Sequence, residues 1–100
     1  MTRLHYLIFD ASDDGEGTGT WEAMASARAA DLPAVLAEVQ QVLAWAETHN
    51  PGPRGALDEG GAWDIDTQLV AEGEWSTVTL MLTGPWEWGE LLVDRFAPAE

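Results

Sequence analysis

The sequence predicts an α+β fold: a two-layer sandwich in which a four-stranded antiparallel sheet carries helices on one face, in the order ββαββα. Three observations predict it. Ala62–Thr83 alternates apolar and polar residues on either side of Glu72-Gly73-Glu74, as half-buried antiparallel strands do. Asp31–Asn50 carries an apolar stripe at helical spacing. A second alternating run, Thr20–Ala29, precedes that helix, so a hairpin stands on either side of it. A chain of 100 residues suits one domain, 1–100. It can bury roughly 60–70% of its unfolded surface, enough for one core without disulfides.

Taken in order, Arg3–Asp10 reads as a first strand, central in the sheet because both of its faces are apolar. It has no long apolar core or small-residue cleavage site, so it is not read as a signal peptide. Ala11–Gly19 is rich in Asp, Ser and Gly and reads as a loop. In the second strand Trp21, Ala23, Ala25, Ala27 and Ala29 share one face, where small side chains let a helix approach. Asp31 stands at the helix N-cap and Pro33 in its first turn. Leu32, Val35, Leu36, Val39, Val42, Leu43 and Ala46 form the stripe, with Glu38, Gln40, Gln41 and Glu47 off its centre. The helix ends at His49-Asn50, ahead of a Pro/Gly loop over residues 50–61.

In the third strand Trp63, Ile65, Thr67, Leu69 and Ala71 share the inner face, and Asp64, Asp66, Gln68 and Val70 the outer. The fourth sets Val78, Leu80 and Leu82 inward and Trp75, Thr77, Thr79, Met81 and Thr83 outward. Gly73 supplies the positive φ of a tight hairpin turn. Gly84-Pro85 is read as breaking this strand. Trp86–Phe96 follows as a helix, with Pro85, Glu87 and Glu90 early and Arg95 late, as the helix dipole favours. The tail Ala97–Glu100 is expected to fray.

Eighteen acids face four arginines and there is no lysine, for a net charge of −14. Neither a nucleic-acid backbone nor an anionic membrane suits such a surface, because both need clustered Lys and Arg. A basic protein partner or a cation is electrostatically admitted. No run approaches the roughly 18 apolar residues of a membrane span. The absence of cysteine excludes disulfides and Cys-ligated zinc, and with the lack of a leader it leads to an expectation of a cytoplasmic protein.

No nucleophile motif is present, and no catalytic, cofactor-binding or metal-ligating residue is assigned. Asp10-x-Ser12-x-Asp14-Gly15 resembles the opening of a calcium loop, but the twelfth position is Trp21 and the segment before it is a strand, so a solvated turn is the plainer reading. Asp64 and Asp66 share a strand face without a sign of burial. His5 and His49 have no spacing that suggests a shared metal.

The six tryptophans carry the best functional hint, since Trp is enriched at interface hot spots. Trp63 is expected in the core. Trp45, off the helix stripe, and Trp75, on the outer face, join Met81, Asp64 and Asp66 as the candidate interaction surface. The expected function is a small, acidic, non-enzymatic interaction domain that binds a basic partner or a second copy of itself. The alternative is a small-ligand or cation-binding domain.

Overall fold

The structure, a computed structural model, describes residues 2–98. It is an α+β fold whose main sheet is four-stranded, antiparallel and open, with two helices packed on one face. Strands β2 (Phe9–Asp13), β3 (Thr18–Arg28), β4 (Asp64–Glu72) and β5 (Trp75–Pro85) lie in the order β2-β3-β5-β4. Helix α1 (Leu32–Thr48) joins the two hairpins, and α2 (Trp86–Arg95) follows the second. The long strands β3 and β5 therefore form the centre, paired from Thr18↔Pro85 to Arg28↔Trp75.

The inner face is the one the alternation specifies. Trp21, Ala23, Ala25 and Ala27 of β3 and Val78, Leu80 and Leu82 of β5 are buried, as are Trp63 and Ile65. From α1 come Val35, Val39, Val42 and Ala46, and from α2 Trp88 and Leu92. Burying each large aliphatic side chain contributes roughly 1.5–3 kcal/mol before conformational entropy is subtracted. At the β4–β5 turn Gly73 has φ +62, and among the described residues only glycines adopt positive φ, so Gly73 takes the first central position of a two-residue turn.

Several expectations are corrected. Arg3–Asp10 is not one strand. A short strand β1 (Thr2–Leu4) pairs in parallel with β6 (Phe96–Pro98), the chain then leaves extended pairing, and β2 begins at Phe9 as an edge strand. The break has a physical cause. The amides of His5, Tyr6 and Leu7 all donate to one side chain, Glu38 of α1, instead of to a sheet neighbour. Glu38 itself, expected off the stripe's centre, is buried with the stripe at 6% exposure. Ala97 and Pro98 pair with β1 instead of fraying; Ala99 and Glu100 lie outside the described residues.

The β2–β3 loop is correspondingly shorter than Ala11–Gly19, because Asp13 still pairs with Gly19. Strand β5 runs through Gly84-Pro85, where proline is tolerated at a strand's end. Gly84 is set by packing: a Cβ there would stand 2.7 Å from the Trp88 ring. Asp31 occupies the α1 N-cap, yet its φ of −101 and ψ of −13 are helical and its side chain makes no capping bond. Its carbonyl alone receives Ala34 and Val35. At the other end Thr48, His49 and Asn50 side chains reach back to the carbonyls of Ala44, Trp45 and Glu47.

Candidate interaction surface

Five of the six tryptophans belong to the helix side of the sheet. Trp88 is their hub, with ring centroids 5.6 Å from Trp63, 5.9 Å from Trp45 and 6.4 Å from Trp21. Trp21 in turn lies 5.3 Å from Trp86. The cluster is possible because α2 presents Gly89 to the Trp21 ring, in space a Cβ would occupy. Trp63 donates from Nε1 to the Gly52 carbonyl at 3.0 Å, whereas the buried Nε1 of Trp88 has no hydrogen-bond partner among the described residues. Trp45, one of the predicted surface residues, is in this layer. It is half-buried, stacked on His49 at 5.0 Å and edge-on to Phe96.

The sheet's other face has no covering element among the described residues, and the strand registers fix its layout. Asp10, Glu22, Met81 and Asp66 form one row across the four strands. Met24, Thr79 and Gln68 form the next, then Ser26, Thr77 and Val70, and finally Arg28, Trp75 and Glu72. Four apolar side chains stand in water on this face: Met24 (57% exposed), Val70 (51%), Trp75 (46%) and Met81 (38%). Scattered singly they would need no explanation; here one lies in each row of one face. Carboxylates border them, with Asp64 and Asp66 at the β4 side and Asp10 and Glu22 at the β2 side.

Two cations temper that charge. Arg28 lies 5.0 Å over the Trp75 ring, holding it against the sheet. Arg54, from the loop before β4, reaches Asp64 at 3.5 Å, stacks 5.6 Å over Trp63 and donates to the Ile65 carbonyl at 3.0 Å. The Arg54–Asp64 pair is half-exposed on both sides, so screening leaves it worth little by itself. Ser26 and Thr77 share a hydroxyl hydrogen bond at 2.8 Å across the strands. A shallow depression of about 170 Å³ opens between Asp64, Asp66, Met81 and Thr83, floored by Ile65.

Four of the five predicted surface residues thus meet on one face: Trp75, Met81, Asp64 and Asp66. Trp45 is separated from them by the sheet. Alternation along β3 already sets Glu22 and Met24 on the outer face, but their place beside Met81 and Thr79 comes only from the pairing of β3 with β5.

The calcium-like segment does not assemble. Asp10 and Ser12 lie along β2, while Asp13 and Asp14 turn their carboxylates onto the loop's own amides. No three His, Asp or Glu side chains gather to hold a metal among the described residues. No described helix is long and apolar enough to cross a membrane. Besides the depression, two open pockets lie in the helix layer. One, of about 310 Å³, is lined by Trp45, His49, Arg95 and Phe96; the other, of about 270 Å³, by Trp21, Trp86 and Glu90.

Compared with known proteins, the chain matches no family model, no curated protein and no solved structure.

Proposed function

We propose that this protein is a non-enzymatic interaction domain whose open sheet face receives a basic protein segment. One observation carries the reading. The open face sets Met24, Val70, Trp75 and Met81 among Asp10, Glu22, Asp64, Asp66 and Glu72, on a chain of net charge −14. Carboxylates at the border steer a cationic partner and set its register, while desolvated apolar side chains supply affinity. Titration with a Lys/Arg-containing peptide tests it. Binding should weaken as salt rises and weaken again in Trp75→Ala, which removes the largest exposed ring. Salt-insensitive binding, or equal affinity for an acidic peptide, would sink the proposal.

A second reading, a small-ligand site, is favoured by the pocket of about 310 Å³, where Arg95 and His49 stand beside Trp45 and Phe96. Its size is at the lower end of the roughly 300–1,000 Å³ usual for ligand sites. A change in Trp fluorescence or melting temperature on adding a small organic anion, absent in Arg95→Ala, would separate this reading from the first.

A further inference from the structure

We infer that the basic partner docks as an added β-strand along the free edge of β4, over Thr67–Ala71. This rests on the proposed function and places one segment of the partner at the border of the open face, where β4 contributes Asp66, Val70 and Glu72. The alternation of an antiparallel strand sends the N–H and C=O of every second residue to the same side. In β4 the side away from β5 is identified by two bonds: Gly55 N donates to the Trp63 carbonyl at 2.9 Å, and Arg54 donates to the Ile65 carbonyl. Ile65's own amide, on that side, is taken by Asp64 Oδ1 at 2.9 Å. The first part of the edge is therefore closed. With the register unbroken, the same side next carries the amides and carbonyls of Thr67, Leu69 and Ala71. These have no hydrogen-bond partner among the described residues.

This edge also lacks the usual protections. Thr67–Ala71 (TQLVA) contains no charge and no proline, and Leu69 (54% exposed) and Val70 show an apolar side chain on each face. The sheet's other edge, β2, is five residues long with Asp10 and Asp13 on it. The alternation groups Leu69 with Trp63 and Ile65 on the inner face, yet it is exposed. The helices pack over β3 and β5 and leave β4 uncovered beyond Ile65.

The flanking charges choose the occupant. A second copy paired antiparallel about Leu69 would place Asp66 opposite Glu72 of that copy, at both ends of the ladder. Like charges directly opposite oppose pairing. A strand with Lys or Arg at those two positions, and apolar residues opposite Leu69 and Val70, reverses the sign at both ends and covers the exposed side chains. The partner segment is thus seven residues long in register with Asp66–Glu72, basic at its ends and apolar at its third and fourth positions.

A capped peptide KTVVTTK is the probe, followed by NMR titration of the full chain. Its second, fourth and sixth residues would lie opposite Ala71, Leu69 and Thr67 and make the backbone bonds. N-methylation at those three positions should weaken binding at least about tenfold, the loss expected when several backbone bonds go. Methylation at the third and fifth should leave affinity within a small factor. Leu69→Pro should also abolish binding without unfolding the sheet, since the Leu69 amide points away from β5. If both methylated peptides bind like the parent, and binding is salt-sensitive, the edge inference is overturned while the basic-partner reading stands. If neither KTVVTTK nor ETVVTTE binds, the edge inference is overturned; if the two bind equally well, the basic-partner reading falls and takes the edge inference with it.

Discussion

Replacing Glu38 with alanine removes the acceptor shared by three consecutive backbone amides. Its Oε2 receives His5 at 2.7 Å, and its Oε1 receives Tyr6 and Leu7 at 3.1 Å each. Hydrogen bonds to a charged group contribute about 1.5–3 kcal/mol, and a buried donor left without a partner costs about 1–3 kcal/mol. The Leu7 bond is buried, so its amide would be left dry; those of His5 and Tyr6 are part-buried, and water can replace the carboxylate there. The expected loss for Glu38→Ala is about 3 kcal/mol, a large share of a small domain's stability. In a domain of this size that lowers Tm by roughly 12–24 °C. Glu38→Gln keeps one oxygen for Tyr6 and Leu7 but turns an amide toward the His5 N–H, for a loss of about 1–2 kcal/mol. Urea unfolding followed by tryptophan fluorescence measures both. An alanine variant within about 0.5 kcal/mol of the parent, the range of ordinary surface changes, would refute the anchoring role. A glutamine variant as damaging as alanine would refute the division among the three amides.

Other outcomes follow from the same geometry. Gly89→Ala should destabilise, because overpacking against the buried Trp21 ring costs about 1–3 kcal/mol and outweighs the gain of about 1 kcal/mol in helix propensity; a neutral or stabilising result in urea unfolding would contradict that packing. Gly73→Ala meets no atom within 4 Å, so its cost is the positive φ alone, about 1–2 kcal/mol by the same assay. Asp66→Lys would set an ammonium group opposite Glu72 of a second copy at both ends of the β4 ladder. Sedimentation should then show dimers at concentrations where the parent chain is monomeric, and equal behaviour of the two would count against the free edge.

Most of the layer structure was legible in local pattern. The two alternating strands around Gly73 and the Leu32–Ala46 stripe specify which faces meet, and Ile65, Leu80 and Val42 are buried accordingly. Period-two alternation also places Trp75 and Met81 opposite Leu80 and Leu82. What local pattern could not carry was pairing between distant segments. Nothing near Thr2 announces that it will lie beside Phe96. Glu38 reads only as a polar residue off the stripe's centre; the approach of His5–Leu7 is what gives a buried carboxylate its donors. Trp45 lies off the aliphatic stripe and so reads as a surface residue, yet α2 brings Trp88 and Phe96 against it. Thr67 and Leu69 alternate correctly, and it is the reach of the helices that leaves them uncovered.

Amide hydrogen exchange along β4 is the most direct measurement, made on the free chain and then with KTVVTTK at saturation. In the free chain Gln68 and Val70, which face β5, should be protected, while Thr67, Leu69 and Ala71 exchange rapidly. Peptide should slow those three and leave the other two as they were. Exchange at Thr67, Leu69 and Ala71 that is already slow without peptide, or that stays fast when the peptide is bound, would contradict the free-edge assignment.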